Sequence, residues 1–585
     1  MTSDLRTRII TLLLLLFTVA AAPADSSEKL NQLFKREWEW TMQQWPTWAS
    51  EMGDRRWNDR WPDLSLDATA KRIEHRKEVM NELDAIGPTD LSPADRLNYE
   101  LFRKQQQNEI QEFDFNWHLV PLNQRGGIQT QDELADQLRF QTVKDYEDWI
   151  ARLNSFPTLM DQTIVLMRAG VRAKVVHPKI VMQRVPAQID KQIVDDPTAS
   201  GFYKPFKTFP ESISTSDRDR LQTAASKAID EKVIPSYQQF KKFFESEYLP
   251  ACFDNVGAWQ LPHGDEMYAF FAKQHTTTDL SPQQIHELGL AEVARIRAEM
   301  EKVKEQAGFT RSLEEFFKFL RTDKRFFYST GDELLAASRA LAKKIDPKMV
   351  KLFRVIPRMP YGVEPIPMNI APDTTTAYYQ QPAADGSRAG TYYVNLYKPE
   401  TRPKWEMTAL TLHEAVPGHH FQIARAMELG EQPEFRRYGG YSAFVEGWAL
   451  YCEAMGEEIG MYEDPYDRFG RLTYEMWRAV RLVVDTGIHY KHWSRQQAID
   501  YFKSNAPKSE LDITNEVDRY IAWPGQALAY KVGELKIKEL RKKAETELGD
   551  RFDVRDFNDV VIGQGAVPLD ELERIVNGWI QKQKR

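Results

Sequence analysis

A chain of 585 residues, 42% apolar and 28% charged with a net charge of −8, has enough apolar side chain for a large core. Its 15 Trp and 23 Tyr exclude a disordered chain, and its mild acidity excludes the basic footprint of a nucleic-acid binder. Length alone points to about three to four domain-sized units or one large helical body. The only cysteines are Cys252 and Cys452, and no activating base stands beside either. A buried free thiol suits Cys452 in the helical run EGWALYCEAMGEE.

Arg6 and Arg8 precede the apolar run IITLLLLLFTVAAA, and Ala20-Ala21-Ala22 fits a small-residue cleavage site. Residues 1–24 therefore read as a secretory signal, which predicts a periplasmic or secreted protein. No cysteine follows the cleavage region, so no lipoprotein acylation site is expected. No second apolar run is long enough for a span, so no stable membrane insertion is expected after signal removal.

Residues 25–250 read as an N-terminal helical lobe. Trp38, Trp45 and Trp48 recur at near-helical intervals and predict a core stripe. The amphipathic segments ATAKRIEHRKEVMNELDAI and SPADRLNYELFRKQQQNEIQEF follow, the second opening on Ser92 as cap and Pro93 at the first helical position. Pro and Gly cluster around YLPACFDNVGAWQLPHGDEMYAFF, which sets a soft boundary near 250. Residues 251–585 read as a second helical domain. Within it, FRVIPRMPYGVEPIPMNI and AGTYYVNLY carry the strand signals, and AGTYYVNLY offers an edge to an extended peptide. The fold class is thus mainly α with a small β-sheet.

The chemistry concentrates in HEAVPGHH, His413 to His420. A catalytic zinc site needs three protein ligands and an open position. The usual helical solution, HExxH, puts two His at i and i+4 on one face, with Glu as base. Here Pro417 occupies i+4, and the next histidines are His419 and His420. On an ideal helix at about 100° per residue, i+6 lies roughly 120° off the first His, and i+7 is about 10.5 Å along the axis. Pro417 removes the partner of the His413 carbonyl, however, and Gly418 relaxes the backbone. A wide turn or π-bulge between His413 and His419 would absorb the extra residues. Glu446, at the start of EGWALYCE, is the candidate third ligand; Glu453, two turns on, competes for that role or orients a histidine. The segment HELGL at 286–290 begins like HExxH but has Leu290 at the second His position, and reads as an ordinary amphipathic helix.

Taken together, HEAVPGHHFQ, EGWALYCE, WRAVRLVVDTGIHYKHWSRQQAIDYF and RYIAWPGQALAYKVG resemble bacterial domain-of-unknown-function family 885. Its members are regarded as candidate zinc metallopeptidases, distantly similar to the helical thimet-oligopeptidase and carboxypeptidase Taq groups. The resemblance implies a large helical gluzincin-like fold with the small sheet near the active site, and one Zn2+ per chain. It implies His413 as first ligand, Glu414 as general base and Glu446 as third ligand. A Gly precedes the second ligand in the related peptidases, which favours His419 and leaves His420 as the alternative metal ligand or a neighbour.

An oxyanion donor is also needed, and His489 and Tyr530 are the candidates. Arg481, Asp485 and His489 fall on one helix face, either as a functional line or as an ion-pair ladder. Arg481 is also suited to a substrate carboxylate. The expected function is hydrolysis of short peptides by an exported zinc metallopeptidase, acting as oligopeptidase or carboxypeptidase. Two alternatives are a zinc hydrolase of a non-peptide amide, such as an acylated amino acid or cell-wall fragment, and a non-catalytic peptide-binding protein.

Overall fold

Helices begin where the sequence supplies a cap. The computed structural model describes residues 25–368, 371–373, 375–383 and 388–585; the expected signal, residues 1–24, lies outside them. Asp25 accepts from the Glu28 amide to open α1 (Ser26–Gln44). Ser65 does the same for α2 (Leu66–Ile86), and Ser92 with Pro93 for α3 (Pro93–Asp114). Beyond α4 (Val143–Ala173), α5 (Gly264–Thr276) and α6 (Pro282–Gln306), a three-stranded sheet interrupts the helices. The later helices are α7 (Met407–Glu414), α8 (His419–Met427), α9 (Glu434–Tyr438), α10 (Ser442–Met455), α11 (Pro465–His489), α12 (Glu510–Ala522) and α13 (Ala529–Leu548). The protein is mainly α-helical with one small sheet.

The largest apolar core joins Trp149, Phe156 and Tyr237 to Phe316, Trp405, Phe469 and Tyr520. It runs across residue 250, so the N-terminal helices and the later ones share a core. The tryptophan stripe is not inside it. Trp38 is half-buried, meets Trp48 edge-on at 5.4 Å and stacks on Tyr438 of α9 at 5.4 Å. Arg72 lies 4.9 Å over Trp45. These rings form seams of α1 against α2 and α9, where a ring can keep a polar neighbour.

The sheet has the order β1 (Tyr361–Pro365), β3 (Gly390–Val394), β2 (Ala377–Gln380). β3 pairs parallel with β1 and antiparallel with β2. The strand from AGTYYVNLY is therefore central, and both its backbone edges are in use. It has no edge for a substrate, because the crossover from β1 brings β3 between its two partners.

Two close contacts hold the later helices. Gly447 of α10 meets Gly533 of α13, where a Cβ on Gly447 would lie 2.5 Å from the Gly533 backbone. Beside that crossing Lys531, 0% exposed, binds Glu475 at 2.8 Å, Glu534 at 2.5 Å and Glu292 at 3.0 Å. Burial alone favours a neutral amine, but these three carboxylates hold the ammonium charged. The ion cluster thus ties α6, α11 and α13 together. No helix among the described residues is long and apolar enough to cross a membrane.

Replacing Lys531 by Met removes the buried ammonium that Glu292, Glu475 and Glu534 share and leaves them to Arg295, Arg471 and Lys538. It is expected to cost about 1–3 kcal/mol, read as a lower urea midpoint at unchanged slope. The Lys531→Met/Glu534→Gln double variant recovers part of the loss if charge, rather than packing, sets the cost. An unchanged midpoint in the single variant contradicts this role.

Candidate metal centre

α7 stops at Glu414, and the reason is local. Pro417 has no N–H for the carbonyl of His413, so the ladder ends there. The chain leaves helical geometry at Ala415 (φ −98°, ψ −111°) and re-enters after Gly418 (φ −73°, ψ −130°), across a cis Val416–Pro417 bond. A Cβ on Gly418 would overlap the carbonyl oxygen of His413. Trp448 of α10 fixes the turn by donating its indole N–H to the Pro417 carbonyl at 2.9 Å. The expected bulge is thus a full break between two helices. It swings His419 onto His413, with ring centroids 4.8 Å apart at 88°.

Glu446 comes from the helix beneath. Its Oε2 lies 3.6 Å from His413 Nε2 and 3.7 Å from His419 Nε2. One ligand atom from each of the three residues falls within 4.8 Å of the others. Three ligands at about 2.1 Å from one ion, at tetrahedral angles, would stand about 3.4 Å apart. The observed separations to Glu446 fit that donor set. The His419 and Glu446 side chains are 13% and 23% exposed while His413 is 5% exposed, so the group opens toward solvent on one side.

Glu453 lies behind His413 and does not join the group. Its Oε1 accepts from His413 Nδ1 at 2.8 Å, which leaves Nε2 facing Glu446 and His419. Its Oε2 is buried without a hydrogen-bond partner. Arg478 Nη2 approaches Glu453 at 3.8 Å, and its charge also acts on His419 and Glu446. Glu414 lies within electrostatic reach of His413, His419 and Tyr392 of β3. Three carboxylates therefore surround two imidazoles with one arginine nearby, an excess of buried negative charge that suits a dication.

Titration follows from these contacts. Burial opposes charge on His413, yet Glu446 and Glu453 outweigh it and push the ring up to about 9. Burial also works against ionised Glu446, but His413 and His419 hold it down at about 2. Burial pulls His419 below its ordinary value.

His420 is a correction to the ligand set. Its Nε2–H donates to the Met359 carbonyl at 3.1 Å, so its Nδ1 accepts from the Tyr379 hydroxyl at 2.9 Å. Both nitrogens are engaged, and burial pulls the ring down to about 4. It ties α8 to the sheet. His489 is a second correction: it sits at the far end of α11, accepting at Nδ1 from the Ala258 amide (3.0 Å) and donating from Nε2 to the Tyr520 carbonyl (2.9 Å). Nor do Arg481, Asp485 and His489 form a ladder. Arg481 binds Tyr520 and Glu516, while Asp485 binds Tyr268 and Gly525.

Tyr530 lies on α13, which crosses the helix of Glu446 where Gly533 meets Gly447. It lies within electrostatic range of Glu446, and the Arg481 guanidinium sits 4.3 Å from its ring centroid. Arg481 therefore lies against the Tyr530 ring, with its guanidinium engaged by Tyr520 and Glu516 rather than open to a substrate carboxylate. Arg478 was not among the sequence candidates, although it precedes Arg481 by one helical turn and so shares its face.

The family described as "Bacterial protein of unknown function (DUF885)" matches residues 46–576. The chain belongs to that family. A solved structure from Colwellia psychrerythraea, described as a candidate lipoprotein, is 31% identical, with a TM-score of 0.88 over 95% of this chain and 100% of that one. A second, a candidate lipoprotein of unknown function from Shewanella oneidensis, is 18% identical, with a TM-score of 0.73 over 95% and 100% of the two chains. It shares the fold. A comparison with curated proteins gives no match.

Two outcomes follow. Gly418→Ala forces the His413 and His419 backbones apart, so the affinity for Zn2+ falls at least tenfold, as measured by competition with a chromophoric chelator; unchanged affinity contradicts the geometry. Because the His413 pKa is raised to about 9 in the metal-free protein, a metal ion must displace its proton. Affinity should therefore fall about tenfold for each pH unit below 9, with close to one proton released from His413 at neutral pH. Calorimetric titration in two buffers of different ionisation enthalpy reads that proton.

Proposed function

We propose that this DUF885 member is an exported zinc-dependent metallopeptidase that hydrolyses short peptides. The observation that carries this reading is the spacing of His413 Nε2, His419 Nε2 and Glu446 Oε2, with Glu414 adjoining. Two imidazoles and one carboxylate with an open side suit zinc among the common divalent ions. A zinc ion held there supplies Lewis acidity, which acidifies water and polarises a carbonyl. Export is supported by the sequence of residues 1–24 and agrees with the description of the two similar structures as candidate lipoproteins.

The chain's own residues perform the remaining tasks. Glu453 holds the proton on His413 Nδ1, so the proton that leaves on metal binding comes from Nε2, which then turns its lone pair to the metal. Glu414 takes the proton from the attacking water and returns it to the leaving amine. The Tyr530 hydroxyl, on a helix held close by the Gly447–Gly533 contact, donates to the carbonyl oxygen as charge builds there. Arg478 offsets the charge of Glu453.

Elemental analysis of the purified protein, paired with hydrolysis of a mixed peptide pool read by mass spectrometry, tests the assignment. About one zinc per chain is expected in the wild type, none in His413→Ala or Glu446→Ala, and full content in His420→Ala. Glu414→Gln keeps the metal and loses at least about a hundredfold in turnover. Zinc retained in both ligand variants, or unchanged turnover in Glu414→Gln, would overturn the proposal.

A further inference from the structure

One wall of the centre carries more positive charge than it neutralises. Arg481 and Arg519, both 6% exposed, share a single carboxylate, Glu516. Arg481 Nη2 donates to it at 2.9 Å, and Arg519 Nε and Nη2 each at 3.0 Å. The Tyr520 hydroxyl adds a fourth bond at 2.8 Å. Arg481 Nη1 is buried without a partner, beneath the ring of Tyr530. Asp485, a further nearby carboxyl, acts on Arg519 only through space and is pushed up to about 7 by burial.

A third guanidinium comes from the N-terminal half. Arg125 stands on a tight turn closed by the Asn123–Gly126 bridge. Gln124 pins that turn to α12 by donating to the Asp518 carbonyl at 2.9 Å. The Arg125 guanidinium lies 5.3 Å from the ring of Trp523, which is 38% exposed. It makes no ion pair among the described residues, yet the charges of Arg519, Glu516 and Tyr530 all reach it. Burial and the neighbouring Arg519 both work against its charge. Arg125 is exposed, and its side chain lies along α12 on a pinned turn and an aromatic face, with its planar fork turned to solvent and open to a ligand.

We propose that Arg125, backed by Arg481 and Arg519, receives the free α-carboxylate of a short peptide whose nearby peptide bond lies at the metal centre. Arg125 makes the direct, bidentate contact. Arg481 and Arg519 supply the field, and Arg481 positions the ring of Tyr530, whose helix crosses that of Glu446 at Gly447. Each extended residue spans about 3.5 Å, so anchoring the carboxylate fixes which bond near the C-terminus is cut. The inference rests on the peptidase reading and assigns it a substrate class: peptides with an unblocked C-terminus.

The test uses a tripeptide such as Ala-Phe-Ala as the free acid and as its C-terminal amide. Calorimetric titration of the metal-free, full-length protein should give at least about tenfold tighter binding of the acid. Arg125→Ala should lower acid binding to the level of the amide, and Arg125→Lys should restore only part, because an ammonium lacks the fork. Equal binding of acid and amide, binding of neither, or a preference that survives in Arg125→Ala overturns the proposal. Turnover by the zinc-loaded protein separates it from the reading it rests on. Amides cut as fast as acids would defeat the carboxylate subsite and leave a peptidase. Arg125-dependent acid binding with no turnover of any peptide would defeat the peptidase and leave the subsite.

Discussion

The centre depends on one missing hydrogen bond. Pro417 cannot donate to the His413 carbonyl, so α7 ends where it does. Only because it ends can His419, six residues on, lie edge-to-face with His413. A continuous helix would point that ring roughly 120° away. The turn so created is then fixed from outside by the Trp448 indole on the Pro417 carbonyl. Gly418 is required at its end because a side chain would collide with the helix it has just left.

The other elements place charge around that break. α10 contributes twice: Glu446 faces the two imidazoles, and Glu453, two turns along, holds the back of His413. α13 approaches α10 closely through Gly447 and Gly533, and the buried ammonium of Lys531 secures it against α6 and α11. That ion cluster is costly to desolvate and repays the cost only while all partners are present. It gives the helix bearing Tyr530 a fixed position relative to Glu446. The result is an anionic centre formed by Glu414, Glu446 and Glu453, beside a cationic wall formed by Arg125, Arg481 and Arg519. Opposite fields side by side can orient a peptide along one direction.

Some of the site was legible in the sequence because its logic is local. Pro417 and Gly418 announced an irregular turn, and the residue types of His413, Glu414 and Glu446 announced a donor set with a base. His419 against His420 was not decidable locally. The periodicity that assigns faces holds only within an unbroken helix, and the break resets it. His420 is turned to the sheet by Tyr379 and the Met359 carbonyl, partners 41 and 61 residues away. His489 was misread because helical spacing aligned it with Arg481, yet the same helix carries it about 12 Å farther along its axis. There it meets the Ala258 amide and the Tyr520 carbonyl.

The sequence by itself determined the helical class, the caps that start its helices, the break after His413 and the residue types of the candidate donor set. These follow from backbone hydrogen-bonding rules that act over a few residues. The tertiary structure alone decided that β3 is central, that the tryptophan stripe is a seam, and that Glu453 stands behind His413. It alone brought Arg125 to the wall of α12, through a Gln124–Asp518 contact between residues 394 apart. No local pattern encodes such a meeting, because it depends on how whole helices bury their apolar faces against one another.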